Sequence, residues 1–129
     1  MNDASESRPG VLLFAHGARD PLWAQPFEAV AQALSERAPQ MPVALGFLEF
    51  MAPDLRGAGD ALAAQGCRKV SVVPLFLGAG GHVRKDLPLL LDALRAAHPH
   101  IEWQLAPAVG EDAAVVAAMA EVAWRHAHS

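Results

Sequence analysis

Two histidines stand where short apolar runs give out. His16 follows Val11-Leu12-Leu13-Phe14-Ala15, and His82 follows the run Lys69–Leu77 across four small residues, Gly78-Ala79-Gly80-Gly81. Glu49 holds the matching place after Val43–Leu48. Neutral imidazole is the commonest side-chain ligand for mid-series divalent metals, and near neutral pH it also accepts protons. Two imidazoles and a carboxylate at equivalent places therefore suggest a site that holds a metal or accepts a proton. Each residue alone has a plainer reading: a histidine after a strand can cap a turn or bond a carbonyl, and a glutamate there can simply be solvated. Their joint placement favours the chemical reading. The other four histidines, His98, His100, His126 and His128, fall at the opposite edge or near the C-terminus and read as surface residues.

The elements that must position these groups follow from hydrophobic spacing. Val11–Ala15 is a continuous apolar run, the pattern of a strand buried on both faces. Asp20 and Pro21 suit a helix cap and first turn, with Trp23, Phe27, Val30, Ala31 and Leu34 at helical spacing and Pro26 bending that helix or delaying its regular part. Val43–Leu48 reads as a second strand. Pro53 is expected to open a helix with Leu55 and Leu62 inward, weakened by Gly57 and Gly59 and stopped at Gly66. Lys69–Leu77 reads as a third strand, and Asp86 as the cap of a helix carrying Leu87, Leu90, Leu91 and Leu94. Ile101–Ala106 reads as a fourth strand, and the last helix follows Gly110-Glu111-Asp112 with Val115, Met119 and Val122 as its buried face. Strand and helix alternate four times at about 30 residues per unit, which predicts right-handed βαβ crossovers and a four-stranded parallel sheet in a single-domain α/β fold of flavodoxin-like alternation. In open sheets of this kind ligands bind beyond the carboxyl ends of the strands, where His16, Glu49 and His82 fall.

The glycine stretch invites a phosphate-loop reading, but its spacing fails. A Gly-x-Gly-x-x-Gly counted from Gly78 needs glycine where Val83 stands, and no Gly-Lys-Ser/Thr is present. Gly80 and Gly81 can instead let a broad, flat ligand approach the backbone, or can simply make a tight turn. Arg19, Arg84 and Lys85 flank the two histidines and could meet ligand carboxylates.

Composition bounds the remaining classes. At 129 residues and 53% hydrophobic the chain fits one domain (residues 11–129), with the polar Met1–Gly10 read as a flexible leader. That leader has no apolar core of a secretory signal, and no apolar stretch approaches the ~20 residues of a membrane span, so a cytoplasmic protein is expected. A net charge of −4 and the absence of Tyr argue against a nucleic-acid surface. Cys67 is alone, which excludes an internal disulfide and a cysteine-based zinc site.

His16-Gly-Ala-Arg-Asp-Pro21, Phe47-Leu-Glu49 and Pro74-Leu-Phe-Leu-Gly-Ala-Gly-Gly-His82-Val-Arg-Lys-Asp-Leu-Pro88 together resemble the short CbiX family of class II chelatases, from Val11 to the last helix. Where that family often carries serine this chain has Ala18, and a hydroxyl contact is lost. The resemblance implies a chelatase-like three-layer sandwich and ATP-independent insertion of a divalent metal into sirohydrochlorin, in cobalamin or sirohaem biosynthesis. The metal is a substrate (cobalt first, iron and nickel as alternatives), and no nucleotide is needed. By the same resemblance His16 and His82 hold the metal and accept the protons, with Glu49 a weaker third ligand. One short domain offers an open face, so a homodimer enclosing the tetrapyrrole is implied. Phe47, Met51 and Phe76 could contact the macrocycle or the partner, core packing being the better reading for Phe76. The competing reading is a protein that binds metal or tetrapyrrole without catalysing insertion.

Overall fold

A computed structural model of the chain describes residues 8–78 and 80–129, and at residues 81 and 82 the backbone alone. Residues 1–7 of the expected leader and Ala79 lie outside the described ones. The first strand, β1 (Pro9–Ala15), begins two residues inside that leader. Because side chains alternate across a strand, β1 sends Leu12 and Phe14 to one face and Leu13 and Ala15 to the other, all four buried. It lies inside a four-stranded parallel sheet of order β2-β1-β3-β4, with β2 at Val43–Phe47, β3 at Lys69–Pro74 and β4 at Glu102–Leu105. The predicted sheet is therefore present, with strands shorter than the apolar runs. β3 stops at Pro74 rather than Leu77; Leu75 N–H gives one more bond, 2.7 Å to the Phe14 carbonyl, and the chain then turns.

Helices cover the sheet unequally. Helix α2 (Leu55–Ala64) and helix α3 (Gly81–Ala97) pack on one face, where Leu55, Ala58, Leu62, Val83, Leu87, Leu91 and Leu94 join Leu12, Phe14, Val70, Val72 and Trp103 in the main core. Burying one such aliphatic side chain contributes about 1.5–3 kcal/mol. On the other face, helix α1 (Gln25–Arg37) and the 3-10 turn Pro21–Ala24 before it supply Trp23, Ala24 and Phe27 to a smaller cluster around Ala15 and Phe47. The main core thus lies between the sheet and the α2–α3 layer.

Helix boundaries follow local chemistry. Asp20 accepts from Leu22 N–H at 2.9 Å and caps the 3-10 turn, so Pro26 falls in the first turn of α1, where its missing N–H costs nothing. Asp54, directly after Pro53, caps α2, accepting from Gly57 N–H at 2.8 Å. Gly66, at φ +85°, stops the segment after α2 as expected. Two expectations fail. Helix α3 starts at Gly81 and not after Asp86, because Val83 extends the buried Leu87–Leu91–Leu94 stripe one turn earlier. Helix α4 (Ala113–Ala127), capped by Asp112, buries none of its residues: Met119 and Val122 are 43% and 44% exposed and Val115 is only half-buried. The apolar spacing is present, but none of the described residues covers that face. None of the described helices is long and apolar enough to cross a membrane.

Candidate functional site

The topology creates a crevice at one place. From β1 the chain crosses to β2 on one side, then returns past β1 to β3 on the other, with α1 and α2 on opposite faces. The carboxyl ends of β1 and β3 therefore border a topological switch point, the standard ligand position of open parallel sheets. β1 and β3 are hydrogen-bonded neighbours, Phe14 opposite Pro74, so the segment starting at His16 and the segment starting at Leu75 leave the sheet side by side.

His16 is half-buried at that edge and held from two directions. Its ring lies on the Phe76 ring, with centroids 4.2 Å apart and planes inclined by 31°. Phe76 is itself buried and rests on Phe14 at 5.8 Å and 60°, so a file of three rings runs from the core to the edge. The backbone is fixed by the neighbouring turn: Leu48 N–H donates to Ala15 O at 2.8 Å and Glu49 N–H to His16 O at 3.0 Å. The two turns press together at Gly17, whose φ is +90° and where any Cβ would overlap the Glu49 carbonyl. Only glycine fits there without strain.

The expected site residues divide into those brought together and those not resolved in relation. His16 and Glu49 share the edge through their backbones, with the Glu49 side chain exposed. Arg19 is exposed, its guanidinium 5.0 Å from the centre of the Phe50 ring. Gly80 is the N-cap of α3, and a Cβ built on it would meet none of the described residues beyond its chain neighbours within 4 Å. Gly81 and His82 form the first turn of α3, correcting the expectation that His82 sits on a loop; the His82 side chain lies outside the described residues. Arg84 and Lys85 follow, both exposed. Among the described residues no three His, Cys, Asp or Glu side chains are grouped to hold a metal. Phe47, 5% exposed, and Phe76, 3% exposed, are core residues, which leaves only half-buried Met51 of that aromatic and apolar set near the surface.

Gly17, Phe50 and the pairing of Phe76 with His16 were not anticipated. The His16-Gly17 dipeptide carried a faint signal for a close approach, whereas ring contacts between distant segments have none in a single sequence. Two hollows lie among the described residues. One of about 200 Å³ lies beside the site between Phe76, Val83, Leu87 and Ala106–Ala108, with Arg84 and Glu111 at its rim. Another of about 700 Å³ lies at the opposite edge, lined by Arg8, Pro39, Met41 and Cys67. Burial pushes the Cys67 thiol up from its ordinary range, which disfavours the thiolate needed for metal binding or attack.

Known proteins share this fold and sequence. The CbiX family model matches residues 10–125. A sirohydrochlorin cobaltochelatase of Methanothermobacter thermautotrophicus is 35% identical over 102 residues, 78% of this chain and 71% of that protein. One from Saccharolobus solfataricus is 43% identical over 82 residues, covering 64% of this chain and 62% of its own length. Among solved structures, one crystallised as a CbiX protein of cobalamin (vitamin B12) biosynthesis from Marinobacter aquaeolei superposes with a TM-score of 0.82 at 30% identity, covering 93% of this chain and 98% of that one. The sirohydrochlorin chelatase SirB of Bacillus subtilis, solved with cobalt, shares the fold at a TM-score of 0.73 and 24% identity; this chain spans 44% of it. With the family model matching nearly the whole sheet and its covering helices, the chain belongs to the CbiX family.

Proposed function

We propose that this protein inserts a divalent metal, cobalt first, into sirohydrochlorin without nucleotide. The observation that carries the proposal is the family match over residues 10–125, a span that contains His16, Glu49 and His82. The names of the two archaeal relatives supply the substrate and metal. Iron and nickel are competing substrates to be tested beside cobalt, since affinity among late divalent ions follows a general order and supply decides much of the rest.

The reaction replaces two pyrrole N–H protons by one metal ion, so the site must hold the ion loosely, bring it to the ring face and take up two protons. His16 and His82 are assigned both tasks, and Glu49 is a third, weaker ligand. A site of few protein ligands keeps the exchangeable positions that release requires, whereas a closed four-ligand site would retain the metal. Phe76 and the Gly17–Glu49 contact hold His16 in place, so little reorganisation is needed when the ion arrives. Arg19, Arg84 and Lys85 are assigned to the substrate's carboxylates, and the small residues Gly80 and Gly81 to the close approach of the ring. The first turn of α3 adds partial positive charge near those carboxylates.

A homodimer in the cytoplasm is part of the same proposal. Its support is the apolar face of α4, left exposed by the described residues, and a match that spans 44% of SirB. Sedimentation at twice the 13.6 kDa chain mass supports it, and sedimentation at the chain mass contradicts it. The activity itself is tested by anaerobic incubation of sirohydrochlorin with cobaltous ion, followed by absorbance. Acceleration over the protein-free rate is expected. Tight binding without acceleration would indicate a carrier instead.

A further inference from the structure

Phe50 is left out of both apolar clusters. Its neighbours Phe47 and Met51 join the α1-side cluster and Leu48 the main core, yet Phe50 is 58% exposed. Its backbone is also unusual, at φ +67°, a region that costs an L-residue with a bulky side chain and that glycine or asparagine would enter more readily. A chain that keeps a large apolar ring in a strained conformation and in water keeps it for something outside the folded monomer. The ring stands one residue past Glu49, whose N–H is bonded to His16 O, so it lies at the rim of the candidate site. Arg19, three residues past His16, places its guanidinium 5.0 Å from the centre of that ring, within cation–π range. The two strand-end turns are therefore joined at the rim by an aromatic–guanidinium pair.

We propose that Phe50 and Arg19 form a substrate platform: the ring packs against the flat conjugated macrocycle, while the guanidinium it holds pairs with peripheral carboxylates. This rests on the reading of the substrate as a planar polycarboxylate tetrapyrrole. The chemistry fits that class, because a face for stacking and a cation beside it match a planar ring edged with acids. Phe50 touches substrate and takes no part in proton or metal transfer.

The test is an anaerobic titration of metal-free sirohydrochlorin into the full chain, read by absorbance, so that it does not depend on metal insertion. Phe50→Gly is expected to weaken binding about tenfold, the size of losing one stacked aromatic contact. Its melting temperature should match or exceed the wild type's, since the strained backbone is relieved. Phe50→Tyr keeps the ring and should bind within about threefold of wild type. Unchanged binding in Phe50→Gly overturns the proposal, as does a tenfold loss in Phe50→Tyr with the fold intact. A change of sedimentation mass with unchanged binding would make Phe50 an interface residue and also overturn it. Wild type that binds but does not insert cobalt would refute the enzymatic reading alone; wild type that does not bind refutes both.

Discussion

Replacing Gly17 by alanine should damage fold and site together, by an amount that can be worked from the structure. At φ +90° an L-residue costs about 1–2 kcal/mol relative to glycine. The new methyl would also overlap the Glu49 carbonyl, a backbone atom that cannot swing aside. Relieving the overlap requires the Glu49 turn to retreat by ~1 Å, which stretches Glu49 N–H to His16 O (3.0 Å) beyond hydrogen-bond range and strains Leu48 N–H to Ala15 O (2.8 Å). At about 0.5–1.5 kcal/mol for each bond, the total comes to ~3 kcal/mol, a large share of the 5–15 kcal/mol that holds such a domain. For a chain of this length that lowers the melting temperature by roughly 10 °C. Circular dichroism during thermal and urea unfolding measures this, with Gly78→Ala as control. Beyond its chain neighbours, none of the described residues lies within 4 Å of a Cβ at Gly78, so that variant should melt within about 2 °C of wild type. Below its melting point Gly17→Ala should still insert metal poorly, because His16 moves with its own carbonyl. A loss under 1 kcal/mol with normal turnover would refute the idea that these two turns are clamped through Gly17.

Phe76→Leu should cost about 1–3 kcal/mol through lost core volume and lower insertion further than Phe76→Tyr, which keeps a flat surface under His16; equal activity in both variants would remove the ring contact from the account. The hydrogen bond from His98 (2.7 Å) and the nearby Arg56 hold the Asp60 carboxyl below the usual carboxylate range. Its folded pKa is depressed, so its stabilising contribution is present above about pH 4 and is lost as pH falls through the lowered value. Asp60→Asn should therefore be slightly less stable than wild type near pH 6, the gap closing towards about pH 2 in urea melts; a gap that persists in acid would contradict the linkage. Insertion rates near neutrality should be the same in both, since α2 carries Asp60 away from the His16 edge.

Much of the architecture could be read from spacing, because buried parallel strands leave unbroken apolar runs and the connecting helices leave 3.6-residue stripes. The runs overstate strand length where apolar residues continue past the hydrogen-bonded ladder, as at Leu75–Leu77. Asp86 misled because an acidic residue ahead of a leucine stripe looks like a cap, whereas Val83 already belongs to that stripe. In α4 the apolar spacing is real, but the described residues leave that face exposed. Of the site, the chemical residues were visible because their types are rare at strand ends. What fixes them was not: Phe76 under His16, Gly17 against Glu49 and Phe50 beside Arg19 are contacts between segments brought together by the sheet order.

We propose that His16, just past β1, and His82, in the first turn of α3, hold the metal and take up the pyrrole protons. The most direct measurement compares cobalt insertion by wild type, His16→Ala and His82→Ala under anaerobic conditions, with melting temperature and circular dichroism on each protein. Losing a positioned proton acceptor should lower the rate by about 10²–10⁴-fold, bringing either variant close to the protein-free rate with the fold intact. Turnover at the wild-type rate in either correctly folded variant would contradict the assignment.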